Sequence, residues 1–250
     1  MAVSKKEVMI LPEGKKHRIT GPGLSVETTA DIGTIFRSST SDEQKEVAWG
    51  RIKQKFLYGK PNTMEDAEGA DAVKELILFG DRDTMSRAVN LLAEGLREGS
   101  DHTDFAVNVS WMVLVSADTN ALSIYQPHPF EAVLNMIEDT LMHGSGSITS
   151  RDANMHARKR AGSALGVALG YCGDRTSGHD RANAIAQALA LAVEHGDSGT
   201  RSIAVEILNE ERGKTETVGR IMEEWREHAK TALIRSVNGI KPRTETPQDS

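Results

Sequence analysis

The chain has 250 residues, a formal net charge of −6 and 4% aromatic side chains, enough for one large domain or two small ones around a core of Ala, Leu, Val, Ile and Met. Thirty Lys and Arg against thirty-six Asp and Glu exclude a globally basic nucleic-acid binder and leave room only for local basic faces. Cys172 is the single cysteine, which excludes an intramolecular disulfide and a multi-cysteine zinc site and fits a reducing compartment.

In chain order, residues 1–24 place Pro12, Pro22, Gly14, Gly21 and Gly23 around short apolar pieces and read as an irregular or strand-like arm. This stretch lacks the apolar run of a secretion signal, and Ala2 offers no myristoylation site. A short helix is expected over 29–37, with Ile32, Ile35 and Phe36 inward. Ser41 followed by Gln44 forms a capping box, because the hydroxyl takes an orphan amide while the glutamine reaches back to the cap. Val47, Ala48, Ile52, Phe56 and Leu57 follow at helical spacing, and Gly59 with Pro61 supplies the stop. Asn62 or Thr63 opens the next helix, through Ala72, Val73, Leu76, Ile77 and Phe79 to Gly80. Asp83 is expected to cap a helix carrying Met85, Ala88, Val89, Leu92 and Leu96.

Asp101 caps residues 102–117, where Phe105, Val107, Val109, Trp111, Met112, Val113, Leu114 and Val115 point to every side. That pattern predicts a central helix buried all round, with a strand as the alternative because of its β-branched content. Pro129 at the first helical position starts a helix with Phe130, Val133, Leu134, Ile137 and Leu141 on one stripe, ended by Gly144. The Gly-Ser run at 144–150 reads as a flexible linker between an N-terminal helical subdomain, 25–143, and a C-terminal one, 151–239. The second holds a small-residue helix at 151–172 and further helices at 180–195, 198–212 and 215–238, before a polar tail at 240–250 expected to be disordered. The fold class expected is all-α: an irregular multi-helix bundle of two helical subdomains with an irregular N-terminal arm. Gly-Asp recurs at Gly80-Asp81, Gly173-Asp174 and Gly196-Asp197, where the glycine can take a left-handed cap and the aspartate can begin the next turn. Successive separations of 93 and 23 residues give no fixed period, so a regular solenoid is not supported.

Catalytic and metal signatures are weak. Gly213-Lys214-Thr215 lacks the earlier glycine of a phosphate loop, since Leu208 stands there. The serine of Gly162-Ser163-Ala164-Leu165-Gly166 is in the second place rather than the third of a nucleophile elbow, so close helix packing explains the small residues. Zinc would rest on Cys172 with His143, His156 or His179 and lacks a second ligand pair. Paired acids such as Glu65-Asp66 and Glu223-Glu224 fall on polar helix faces. No enzyme activity, cofactor, metal or small-molecule substrate is expected. Basic clusters are more informative because the whole chain is acidic. Lys15, Lys16 and Arg18 lie in the arm, Arg51, Lys53 and Lys55 line one helix, and Arg158, Lys159 and Arg160 open the small-residue helix. These nine are the candidate anion-binding residues, for lipid headgroups or RNA phosphates. The apolar helix with Ala184, Ile185, Ala188, Leu189 and Val193, together with the arm, suggests a homo-oligomer.

After Gly80-Asp81, the stretch Thr84-Met85-Ser86-Arg87-Ala88-Val89-Asn90-Leu91 resembles the orthomyxovirus matrix protein family, which has a similar helix start after a glycine-rich turn. Gly162-Ser163-Ala164-Leu165-Gly166-Val167-Ala168-Leu169-Gly170-Tyr171-Cys172 is similar to the small-residue helix that closes that family's amino-terminal half. Leu92-Ala93-Glu94-Gly95-Leu96-Arg97-Glu98 keeps a single arginine where influenza members are strongly basic, and the family's Cys and His cluster is missing. A thogotovirus-like branch therefore fits better than influenza. The resemblance implies a viral matrix protein that self-assembles beneath the envelope and bridges anionic membrane and ribonucleoprotein. Its expected location is the virion, beneath the envelope, and in infected cells the cytoplasm, the nucleus or the inner face of the plasma membrane. The alternative is a helical RNA-binding nucleoprotein or other nucleic-acid-binding module.

Overall fold

Hydrophobic spacing and capping chemistry produce a helical chain in the computed structural model, which describes residues 8–10, 16–18, 24–59, 64–97, 103–116, 128–144, 151–173 and 178–211, with positions 219, 220 and 223. Two short strands, β1 Val8–Ile10 and β2 Lys16–Arg18, pair antiparallel with Met9 opposite His17, so the arm is strand-like at these six residues rather than wholly irregular. The rest of the described chain is all-α. In order come α1 Val26–Phe36, α2 Asp42–Tyr58, α3 Met64–Phe79, α4 Arg82–Arg97 and α5 Thr103–Ser116. They are followed by α6 Pro129–His143, α7 Arg151–Gly173, α8 His179–His195 and α9 Ser198–Glu211. Asn62, Thr63 and Asp101, the linker residues 145–150, most of the expected helix at 215–238 and the tail lie outside the described residues.

Several helix starts differ from the sequence expectation because side-chain acceptors compete for orphan amides. The first helix begins at Val26, three residues before the expected Thr29, since the Ser25 hydroxyl accepts the Thr28 amide. The next start keeps the expected Ser41–Gln44 capping box. The fourth helix is capped by Asp81 and not by Asp83: Asp81 Oδ1 accepts the Thr84 N–H at 2.9 Å, leaving Asp83 inside the first turn. Pro129 occupies the first turn of α6 as expected, but the cap is the His128 ring, whose Nδ1 accepts the Phe130 amide at 3.2 Å. Gly144 ends that helix with φ +69°, a left-handed conformation that glycine adopts at little cost. Gly80 and Gly196 do not take the left-handed conformation expected of them. Crowding is the reason for glycine at both: a Cβ would lie 2.7 Å from Thr84 Cγ2 and 2.6 Å from Thr200 Cγ2 respectively.

One contiguous apolar cluster runs from Ile32 on α1 to Leu208 on α9, and α7 packs on α4, α5 and α6 as well as on α8 and α9. Leu76, Leu92, Leu114, Ile137, Leu165 and Ile185 are fully buried in it, each stabilising the fold by about 1.5–3 kcal/mol relative to exposure. The expectation that 102–117 is buried all round is corrected. α5 is a helix, and it buries Ala106, Val109, Ser110, Val113 and Leu114 while Phe105, Val107, Trp111, Met112 and Val115 are half-covered and Asn108 is exposed. The small residues of α7 do serve close packing: a Cβ on Gly162 would sit 2.6 Å from Ile203 Cγ2 and 2.8 Å from Ile207 Cδ1.

The two described Gly-Asp junctions belong to a longer internal repeat. Gly80, Asp81, Thr84, Ser86, Ala88, Val89, Leu92 and Glu94 recur as Gly196, Asp197, Thr200, Ser202, Ala204, Val205, Leu208 and Glu210, always 116 residues later. Backbone geometry repeats with the residues, since Asp197 Oδ1 accepts the Thr200 N–H at the same 2.9 Å as Asp81 with Thr84. Helix packing repeats too. The first helix lies on α2 and α3, and α6 lies on α7 and α8; α3 then packs on α4 as α8 packs on α9. Between the halves stands α5, in contact with α3 and α4 on one side and α6 and α7 on the other.

Candidate anion-facing surface

Amphipathic spacing puts Arg51 and Lys55 one turn apart on α2, facing α1. Arg51 Nε donates to both carboxylate oxygens of Asp31 at 3.0 Å, and the Asp31 side chain is only 3% exposed. A carboxylate that deeply placed requires a partner, and the half-exposed Arg51 side chain supplies it from the surface. Lys55 Nζ donates to Thr28 Oγ1 at 2.9 Å and to Glu68 Oε2 at 3.1 Å. Burial pushes the Glu68 carboxyl up, but hydrogen bonds from Thr28, Ser25 and Lys55 outweigh it and hold the group below its ordinary range. This network ties the start of α1 to α2 and α3. Lys53, on the other side of α2, donates to Glu94 of α4 at 2.7 and 2.8 Å.

The cluster on α7 divides three ways. Arg158 Nη1 donates to Asp197 Oδ1 and Oδ2 at 2.8 and 2.7 Å, clamping α7 to the α8–α9 junction. The backbone amide of Thr200, then Arg158, lowers the Asp197 carboxyl to about 2 against the opposing effect of burial. Arg160 Nη1 donates to the Leu96 carbonyl at 3.1 Å, in the last turn of α4, where a cation also meets the negative end of the helix dipole. Arg181 does the same for α5 at the Val115 carbonyl, and Arg201 for α8 at the Val193 carbonyl. Lys159 alone of the three points to solvent. In the arm, Lys16 and Arg18 occupy the ends of β2, while Lys15 lies outside the described residues.

Five of the six candidates on α2 and α7 are therefore tied to other elements. Arg51, Lys53, Lys55, Arg158 and Arg160 are each engaged by an acceptor from another helix. Sequence reasoning missed these partners because they lie 13 to 64 positions away. It also missed an open cleft of about 450 Å3 between the end of α1 and the start of α2, lined by Thr34, Arg37, Thr40, Glu43, Gln44, Val47 and Arg51. Its two arginines face one glutamate and several neutral polar groups. The only available signal was the polar run around the α1–α2 turn. Cys172 is a buried thiol, and no group of three His, Cys, Asp or Glu that could hold a metal ion occurs among the described residues. Ile185, Ala188, Leu189 and Val193, which suggested self-association, are packed inside the chain's own core. Among the described residues no helix is long and apolar enough to cross a membrane.

No protein-family model, no curated protein and no solved structure matches the chain.

Proposed function

We propose that the protein is a viral matrix protein, a self-associating layer component that bridges an anionic membrane and ribonucleoprotein beneath an envelope. The observation that carries the reading is the placement of the two stretches that resemble the orthomyxovirus family. Thr84 to Leu91 lie on the first turns of α4, directly after the Gly-Asp turn, and Gly162 to Cys172 lie on α7, which packs on α4. Both are helical, as the resemblance requires, and they meet in one core. Because Arg51, Lys53, Lys55, Arg158 and Arg160 have acceptors on other elements, this reading gives the anion-facing role to Lys15, Lys16 and Arg18 of the arm, with Lys159.

Vesicle flotation of the full chain tests this. At low salt the protein is expected to float with anionic vesicles, to stay behind with neutral ones, and to be released as ionic strength rises. Each cation near an anionic surface is worth about 1 kcal/mol, so changing Lys15, Lys16 and Arg18 together to Gln should weaken binding roughly a hundredfold. Absence of flotation at low salt overturns the membrane role. Salt-sensitive RNA retention without flotation would assign the same cations to a nucleoprotein.

A further inference from the structure

Arg51 is fixed in direction but only partly used. Asp31 takes its Nε and Nη2, the side-on edge of the guanidinium. The end-on edge, Nη1 with the second hydrogen of Nη2, meets no acceptor among the described residues. Arg51 lines the cleft between α1 and α2, and so does Arg37 at the end of α1, whose guanidinium also meets no described acceptor. Gln44 adds a donor to the lining, because its Oε1 accepts the Ser41 amide and its NH2 group is left over. One carboxylate, Glu43, and one exposed apolar side chain, Val47, stand among these donors. The architecture does not demand the Arg51 arrangement. At the repeat spacing of 116, Ala48, Trp49, Ile52 and Phe56 become the buried Ala164, Leu165, Ala168 and Cys172, whereas Arg51 becomes the exposed Val167. A helix in this position therefore packs without a cation there. Burying a carboxylate is costly and an ion pair of this kind contributes little net stability, so the distinctive product of the Asp31 pair is an oriented arginine.

We propose that this cleft binds a small amphipathic monocarboxylate, received by the free end-on edge of Arg51 and by Arg37. Each part of that class follows from the lining. A planar carboxylate matches the two parallel donors of a guanidinium edge, which a lysine in the same place could not offer. Glu43 repels a second negative charge and so selects a singly charged ligand over a phosphate dianion or a polyphosphate. Val47, 53% exposed, offers its apolar surface to the body of the molecule. A volume of about 450 Å3 is far larger than a bare inorganic ion needs and lies within the range of small-molecule clefts. The site is separate from the arm cations and does not depend on a membrane or ribonucleoprotein partner.

Amide chemical shifts of the full-length protein, titrated with three probes that share one ring, test the site: benzoate, phenyl phosphate and neutral benzamide. Benzoate is expected to shift the amides of residues 34–51 saturably, benzamide to leave them in place, and phenyl phosphate to bind more weakly than benzoate. Arg37→Ala, at an exposed position outside the Asp31 pair, should weaken benzoate about tenfold while the remaining amides keep their shifts. Arg51→Lys retains a cation for Asp31 but has no second edge, so it should weaken benzoate at least as much. Glu43→Gln should narrow the preference for benzoate over phenyl phosphate. No saturable shift with benzoate, equal shifts with benzamide, or benzoate binding that Arg37→Ala leaves unchanged overturns the site. Phenyl phosphate binding as tightly as benzoate to the wild type overturns the choice of a singly charged ligand.

Discussion

Asp197 does two things with one carboxylate: it caps α9 by accepting the Thr200 amide and it holds Arg158 of α7 with both oxygens. Its carboxyl stands at about 2, below the ordinary 3.8, and a depressed acid stabilises the fold above the unfolded value and loses that stabilisation as pH falls toward the folded one. The relevant window is therefore about pH 4 down to about pH 2. Asp197→Asn keeps an oxygen for the cap and removes the charge, so wild type should exceed this variant in urea stability at pH 6 and converge with it by pH 2. The margin is small, because the side chain is 57% exposed and solvent screens the pair. Asp197→Ala removes the cap as well and should cost about 1 kcal/mol more than the Asn variant, a difference that persists at low pH. A gap between wild type and the Asn variant that does not change with pH would assign the effect to shape rather than charge. The candidate anion residues were legible as a composition, but not as a surface. Arg158, Lys159 and Arg160 are adjacent in the chain, yet the first meets Asp197, the last meets the Leu96 carbonyl, and only Lys159 faces water. Nothing within a helical turn of these residues reveals such partners, which is why a basic cluster could not be told from a set of interhelical clamps.

Helices were far more legible than their contacts, because the apolar period is local and packing is not. The spacing of Phe130, Val133, Leu134, Ile137 and Leu141 predicted the inner face of α6, and all five are buried. Residues 102–117 misled in one respect. Their β-branched, all-round apolar pattern suggested complete burial, whereas α5 leaves Trp111 half-covered beside Tyr171 of α7, with ring centroids 6.0 Å apart. Comparing successive Gly-Asp pairs hid the repeat, since the related junctions are the first and the third. Glycines inside helices show how much depends on the neighbour. A Cβ on Gly50 of α2 would meet nothing within 4 Å, while one on Gly69 of α3 would lie 2.6 Å from Phe56 N and 2.8 Å from Lys55 C, both backbone atoms of α2. Gly50→Ala should raise stability by about 0.5–1 kcal/mol through lower backbone entropy in the unfolded chain. Gly69→Ala should lower it by about 1–3 kcal/mol, because two backbones would have to separate. Urea midpoints moving in opposite directions confirm the close α2–α3 approach, and a stabilising Gly69→Ala would refute it.

Whole-molecule charge and whole-molecule packing lead to the last expectation. A net charge of −6 coexists with cations that bridge elements: arginines at the ends of α4, α5 and α8 and ion pairs from α2 to α1, α3 and α4 join elements distant in sequence. The apolar cluster crosses the same divisions. Helices on either side of 144–150 contribute to it, with α5 wedged between the two halves of the repeat and Arg160 of α7 bonded to α4. Separating the halves would uncover Val109, Val113, Leu114, Ala161, Ala164 and Leu165, all at most 1% exposed, and burial of such side chains is the main favourable contribution to folding. The halves should therefore unfold together despite their shared architecture. Hydrogen exchange in increasing urea checks this directly. The slowest amides, around Ile52 and Leu76 in the first half and Leu165 and Leu189 in the second, are expected to open in one global step with the same free energy and the same urea dependence. Two isotherms, one for each half, would instead mean that the Gly-Ser run at 144–150 separates independent folding units, and that α5 belongs energetically to the first of them.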